Sequence, residues 1–432
     1  MARADDTRSS ALRGETKEMS SHFTYRNWDR TLSCRPREFH QPSSIAEVIR
    51  VVRDAEATGS VVRVFGATHS WSSFVLTDDV LLNLDRLCHV VVIYPDNLRI
   101  TVQAGIRIKD LVQVLHSVGL ALPNVGSVME QSIAGAISHG THGTGKSIGC
   151  LHTQVVGMKI VSGGGEILEI SEADTDLLAA ARVSLGALGV IVEVTLKCVP
   201  IYNVHLKAWP VDFDEALAQV DQLLDENQRV RFYWLPGAKK MYINTMNDTK
   251  ETSTGTSPLV RWLRDRLLRH HTLALLMGIG DRFPSAIGAI NRFEARVGYN
   301  LIDEIGPYFE QLPIGVSPLH TEMEYSVPIE RTADAMRETR RIVEAHGNQA
   351  TLPQEFRFAH SDNAMLSPAF GRDSCYVCAQ TSNNELAAKY FRDFEPAMKE
   401  MGGRPHWGKV FTLTPAEAEK MYPRYHEFCQ LR

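Results

Sequence analysis

An α+β fold in two principal domains is expected from three features of this 432-residue chain. Up to residue 200, short β-type runs alternate with amphipathic helical runs, the pattern of mixed sheet and helix layers. A glycine-rich stretch over 123–149 interrupts them with too few large apolar side chains to build a core of its own. Beyond Pro200 the character changes: strands such as 230–235 and 241–245 mix with helices such as 213–224, which marks a domain boundary. The expected divisions are a disordered tail over 1–22, a first domain over 23–200, a second over 201–400, and a segment over 401–432 that completes the site and returns to the first domain.

Each element has a local reason. Ser44 and Glu47 open a helix as a capping box and Gly59 closes it. The run 61–65 is a strand, and it delivers a turn of Gly66, Ala67 and Thr68 that ends at His69. Small residues there let a large planar or phosphorylated ligand reach the backbone, and the histidine can touch it. A strand over 81–85, a hairpin over 89–104 around Pro95, Asp96 and Asn97, and a helix over 108–116 stopped by Gly119 come next. In the second half, a helix is expected over 213–224 and a polar loop over 247–257. A further helix over 259–280 carries Leu267, Leu268, Leu273, Leu275, Leu276 and Met277. Arg269, His270 and His271 make it too charged to span a bilayer, so membrane association is not expected. A last helix over 414–431 starts with Thr414 as cap, Pro415 at the first position and Glu417.

Composition narrows the function classes. A net charge of −5 without long runs gives no reason to expect nucleic acid. The polar first twenty residues hold no apolar signal segment, so a cytoplasmic location is expected. Seven scattered cysteines argue for a reducing compartment, and Cys375 and Cys378 lie on a strand-like run where residues three apart face opposite ways. No metal site is expected. Residues 140–147, GTHGTGKS, satisfy the P-loop pattern literally, but no strand precedes them and no helix follows. The G-x-G-x-x-G fingerprint of an NAD-linked dehydrogenase is absent in its required setting.

Charged residues on short strands supply the chemistry. In LPQEFRFA (352–359), Glu355 and Arg357 project to one face while Phe356 and Phe358 take the other. A surface ion pair is the bland reading, and charges shown to a cavity over a packed core are the functional one. In EMEYSVP (322–328), Glu322, Glu324 and Ser326 share a face and Met323, Tyr325 and Val327 point to the core. RPHWGK (404–409) offers His406 and Lys409, framed by Pro405 and Gly408.

GATHSW, PNVGS with SHGTHGTG, the run AARVSLGALGVIVEVTL, EMEYSVP, QEFRF and RPHWGK occur in an order and spacing that cover nearly the whole chain. Together they resemble the vanillyl-alcohol oxidase superfamily of FAD-binding proteins and, within it, the aldonolactone oxidase family. The resemblance implies two α+β subdomains holding FAD, with a substrate domain built on an antiparallel sheet. It carries cofactor contacts onto Gly66, Ala67, Thr68, His69 and Ser70, onto Gly126, Ser127, Ser132, Gly135 and Ser138, onto Gly140, Thr141, His142 and Gly143, and onto Val190. His69 is expected to bond the 8α-methyl of the flavin, as a neutral imidazole can. Some relatives hold FAD without that bond, so simple contact stays open.

By the same resemblance, Glu355 and Arg357 bind substrate hydroxyls and support the reduced flavin. Lys409 stabilises the anionic ring as an oxyanion hole would, or orients the reacting hydroxyl. His406 assists proton removal or hydrogen-bonds a wall. Ser127 reaches the substrate side, and Glu322 and Glu324 form a polar rim. The implied reaction removes the C2 hydroxyl proton and hydride of an aldono-1,4-lactone, giving a 2-keto lactone that enolises to an ascorbate-type product, while O2 becomes H2O2. Gly126 lies where a bulkier residue would block oxygen. L-gulono-1,4-lactone is the first choice of substrate, on RDSCY (372–376) and GGRPHW (402–407). An alditol oxidase and a dehydrogenase with another acceptor are the alternatives. His139 replaces the small residue usual before the THG triplet, so pyrophosphate contacts near it are expected to differ.

Overall fold

The computed structural model describes residues 23–254, 271–314, 318–382 and 384–432. The expected tail over 1–22, and Leu267, Leu268, Arg269 and His270, lie outside the described residues.

A parallel sheet runs in the order Glu38–His40, Val80–Asn83, Val62–Phe65. Parallel strands need a crossover, and the helix Ile45–Ala57 provides one. Its apolar residues Val48, Val51, Val52 and Ala55 recur at helical spacing and are buried. Ser44 Oγ accepts the Glu47 N–H at 3.2 Å. The Glu47 carboxylate returns to the Ser43 N–H at 2.7 Å, one residue earlier than a capping box requires. Gly59 ends the helix at φ 66°.

A five-stranded antiparallel sheet follows, in the order Ile167–Ser171, Val155–Val161, Val190–Lys197, Arg99–Gln103, Val90–Tyr94. The hairpin between its last two strands turns on Pro95–Asn97. The glycine-rich segment folds around the short helix Ile133–Ser138. A helix therefore precedes Gly140, and a 3-10 turn at Leu151–Gln154 then the strand Val155–Val161 follow Ser147. The P-loop match is literal only.

The third sheet is antiparallel with eight strands, ordered Ile302–Pro307, Asn203–Asp212, Lys240–Thr249, Arg229–Trp234, Gln354–Ala359, Ser374–Thr381, Thr321–Pro328, Arg404–Pro405. One face packs on the helices Thr332–Ala345 and Asn384–Glu400 through Tyr325, Val327, Phe356, Phe358 and Val377. Each such apolar side chain stabilises by about 1.5–3 kcal/mol when fully buried. The pairing register decides what the other face shows. Glu324 and Glu355 both pair with Cys378, while Ser326 and Arg357 both pair with Tyr376. Two polar rows cross three strands as a result. Cys375 belongs to the apolar core, and all seven cysteines are free thiols.

Three expectations need correction. The helix over 213–224 is two helices, Phe213–Ala218 and Val220–Glu226, meeting at Gln219. The helix over 414–431 is also two, Pro415–Met421 and Tyr425–Leu431, because Pro423 has no N–H to continue the ladder. The polar loop starts later than 247, since Asn247, Asp248 and Thr249 still pair with His205, Val204 and Asn203. The Thr414–Glu417 capping box is present in full. Trp407, Ala418, Tyr422 and Phe428 join the core of the first two sheets, so the chain end packs on the first half of the molecule. No described helix is long and apolar enough to cross a membrane.

Candidate active site

A cavity of about 770 Å³ lies between the glycine-rich loops and the polar face of the eight-stranded sheet, within the size range of cofactor and substrate sites. Its first wall is the turn after Val62–Phe65. Thr68 takes φ 61°, unusual for a β-branched residue, and its carbonyl accepts the Trp28 N–H at 2.9 Å. Asn27 Nδ2 donates to the Ser70 carbonyl at 3.1 Å, and the Trp71 N–H donates to the Gly408 carbonyl at 2.9 Å. The turn is thus tied both to the N-terminal region and to RPHWGK. A side chain on Gly66 would place Cβ 2.0 Å from Ser132 Oγ, so the two small-residue loops meet there without room for a methyl.

His69 lines the cavity with its ring 5.6 Å from that of Trp28. Burial pulls its imidazole down to about 4, which leaves it neutral and nucleophilic at neutral pH. Ala67, Ser70, Ser127, Ser132, Gly135, Ser138, Thr141, His142 and Val190 also border the space. Gly126, Gly140 and Gly143 do not. Their small size has other causes: a Cβ on Gly126 would sit 2.9 Å from Thr141 Cγ2, one on Gly143 would sit 2.1 Å from Asn124 Oδ1, and Gly140 turns at φ 73°. His139 borders the cavity and places Nδ1 3.0 Å from the Gly135 carbonyl.

The second wall is the polar sheet face. Glu324 is fully buried, and its Oε1 accepts from Arg357 Nη2 at 2.7 Å with His142 Nε2 3.2 Å away. Burial alone would raise that carboxyl, yet Arg357 and His142 hold it well below the ordinary carboxylate range. Arg357 Nη1 donates to Ser127 Oγ at 3.0 Å, which joins the sheet to the glycine-rich loop. Glu355 lies between two guanidiniums, 3.3 Å from Arg231 Nε and 3.6 Å from Arg357 Nε. His406 Nδ1 accepts the Gly408 N–H at 3.0 Å, so in the neutral ring the proton sits on Nε2 and that atom donates. Lys409 contacts the Glu322 carboxylate, lies 4.5 Å over the Trp71 ring, and is pulled down to about 7 by burial.

These groups make acid stability predictable. Burial depresses His406 from 6.5 to about 3, so the unfolded chain binds a proton below 6.5 that the folded chain refuses. Stability is then lost as pH falls from about 6.5 toward 3, at up to about 1.4 kcal/mol per pH unit for such a group. Glu324, being depressed, adds a further loss once pH drops below its ordinary 4.5. Urea midpoints of the FAD-loaded protein are expected to fall at each step from pH 7 to 5, and a midpoint flat over that range would contradict the assignment.

Sequence reasoning placed Glu322, Glu324, Glu355, Arg357, His406 and Lys409 near one another, and all six border the cavity. It missed Arg231, and it missed the turn Leu185 to Gly189, of which it took only the next residue, Val190. That turn borders the cavity with Leu185 at φ 55°, Gly186 at φ 76° and Gly189 at φ 126°. The glycine pair in SLGALG was the available signal. The residues suit a long cofactor: backbone without side chains at Gly66, Gly135 and Gly189 on one side, and fixed polar groups at one end.

Comparison with known proteins agrees. The family described as D-arabinono-1,4-lactone oxidase matches residues 194–432, and the FAD binding domain family matches 36–171. L-gulonolactone oxidase of Mus musculus is 34% identical over 424 residues, covering 94% of each chain. L-gulono-1,4-lactone dehydrogenase of Mycobacterium tuberculosis is 33% identical over 406 residues, again covering 94% of each. Among solved structures, a solvent-stable cholesterol oxidase superposes with a TM-score of 0.76 at 18% identity, over 90% of this chain and 87% of that one. The chain belongs to the D-arabinono-1,4-lactone oxidase family and is an FAD-dependent oxidoreductase of the aldonolactone oxidase and dehydrogenase group.

Proposed function

We propose that the chain oxidises the C2 hydroxyl of an aldono-1,4-lactone, L-gulono-1,4-lactone foremost, with FAD bonded to His69 and molecular oxygen as acceptor. The observation that carries this reading is Arg357, pinned between Glu324 and Ser127 where the sheet meets the glycine-rich loop. Its guanidinium and the Glu355 carboxylate present donors and an acceptor on one wall, which suits the hydroxyls of a sugar lactone. Bound FAD supplies a two-electron acceptor for a hydride from carbon. The chain's residues do the rest. With its amine lowered to about 7, Lys409 is partly neutral at working pH and takes the hydroxyl proton. His406 offers its Nε2 proton as a donor rather than acting as a base. Glu322 and Glu324 hold Lys409 and Arg357 in place.

L-gulono-1,4-lactone stands first because the mouse relative is named for L-gulonolactone and the mycobacterial one for L-gulono-1,4-lactone. Those names divide on the acceptor. Gly126 favours oxygen in this reading, since a methyl there would crowd Thr141, which borders the cavity. Photoreduced enzyme mixed with O2 should reoxidise faster than free flavin; a rate no faster would support a dehydrogenase. Turnover on the lactone should exceed turnover on xylitol, and the reverse order would support an alditol oxidase.

The tether has its own test. After acid precipitation, yellow colour is expected in the pellet of the native protein and in the supernatant of His69→Ala. Colour released by the native protein would remove the bond and leave FAD binding intact.

A further inference from the structure

Lys409 does not have Glu322 to itself. The other oxygen of that carboxylate, Oε1, lies 2.6 Å from His320 Nε2, and His320 Nδ1 lies 2.7 Å from the Pro318 carbonyl. A carbonyl only accepts, so Nδ1 must donate to it. In a neutral imidazole that uses the ring's one proton, and Nε2 then turns a lone pair toward Oε1. Two lone pairs at 2.6 Å repel. Burial pulls the His320 imidazole down to about 4, which opposes a second proton on the ring, so the contact places the extra proton on Oε1, and the Glu322 carboxyl loses its charge.

The fold holds His320 in this arrangement. It is buried, with the Trp28 ring edge-on at 5.1 Å, the Trp71 ring at 5.7 Å, and its carbonyl accepting the Trp71 indole N–H at 3.3 Å. Among the described residues, the other titratable groups around the cluster are Asp29, which accepts the Thr321 hydroxyl at 3.1 Å, His69 beyond Trp28, and Glu324 two residues along the strand. Unlike Glu322, Glu324 already has Arg357 as its counter-ion.

We propose that His320 is a positioning residue whose Nε2 lone pair holds Glu322 in its protonated form, so that Lys409 faces a carboxyl relieved of its charge and can exist as a free amine in the cavity at neutral pH. The catalytic consequence rests on the reading of Lys409 as the group that takes the hydroxyl proton; the proton count does not. Burial pulls the amine down, and a bare carboxylate in contact would reverse this, since an opposite charge at such range moves a pKa by about 1–3 pH units. His320 is what prevents the reversal.

The direct test is competitive labelling of Lys409 with trace acetic anhydride across pH, quantified by mass spectrometry on FAD-loaded native protein, His320→Gln and His320→Leu. Glutamine offers Glu322 a donor in place of the imidazole lone pair. The native midpoint is expected near 7, and both variants should move it up by about 1 pH unit or more. Adding Glu322→Gln to His320→Gln should bring it back down. A midpoint unmoved in both single variants would overturn the proposal, as would a shift in the leucine variant alone, which would make His320 a packing and hydrogen-bonding group. If the leucine variant fails to fold, the glutamine variant decides. The pH profile of kcat/KM on L-gulono-1,4-lactone is the second readout, and its rising limb should follow the labelling midpoint. Labelling that moves while the limb stays would keep the proton count and reject Lys409 as the base.

Discussion

Replacing Arg357 with methionine is expected to destabilise the protein by about 3–5 kcal/mol, because the fully buried Glu324 would lose the guanidinium that pairs with it. The expected cost is that of an orphaned charge, not of the ion pair as such. Adding Glu324→Gln should therefore recover most of the stability, while turnover stays down by about two to three orders of magnitude for want of the donor. Urea melts and steady-state rates of the single and double variants separate these effects. A single variant as stable as the native protein would mean that Glu324 takes up a proton without harm. Full turnover in the double variant would remove Arg357 from the site.

A methyl at position 189 should keep the chain from taking up the cofactor, before any bond to His69 can form. Gly189 sits at φ 126°, a region that L residues rarely enter, and an added Cβ would lie 2.2 Å from the Val161 carbonyl. That carbonyl cannot give way, since Val161 pairs with Val190 and with Ile167 inside the five-stranded sheet. Strain of about 1–3 kcal/mol from the dihedral alone adds to the clash, and the turn bordering the cavity must move. Gly186→Ala is the control. It also has positive φ but open space around its Cβ, so it should lose about 1–2 kcal/mol and keep FAD. FAD content per chain measures the outcome, and equal retention by the two variants would mean that the turn plays no part in holding the cofactor.

The parts of the site that were legible in sequence are those written in a two-residue period. Phe356 and Phe358 had to face a core, so Glu355 and Arg357 had to face away from it, and the same parity sorted Glu322, Glu324 and Ser326 from Met323, Tyr325 and Val327. What period two cannot give is the neighbour across the sheet. Arg231 reaches Glu355 only because Tyr233 pairs with Glu355 in the register of two strands far apart in the chain. Glycines were legible as a group but not one by one. Gly66 and Gly189 border the cavity, whereas Gly126, Gly140 and Gly143 serve close packing or a turn, and nothing in GSV or GTHG distinguishes the two uses. His320 shares the parity of Glu322 and Glu324, but parity gives it no role. Its meaning comes from two distances, to Pro318 and to Glu322, that exist only in the folded chain.

The most direct test of the whole account is anaerobic addition of L-gulono-1,4-lactone to the yellow, FAD-loaded protein while its visible spectrum is followed. The flavin band of the native protein should bleach at a rate that saturates with lactone, and that of the Arg357→Met, Glu324→Gln double variant should bleach far more slowly. A protein that binds no flavin, or one whose flavin stays oxidised with every aldonolactone offered, would contradict the account.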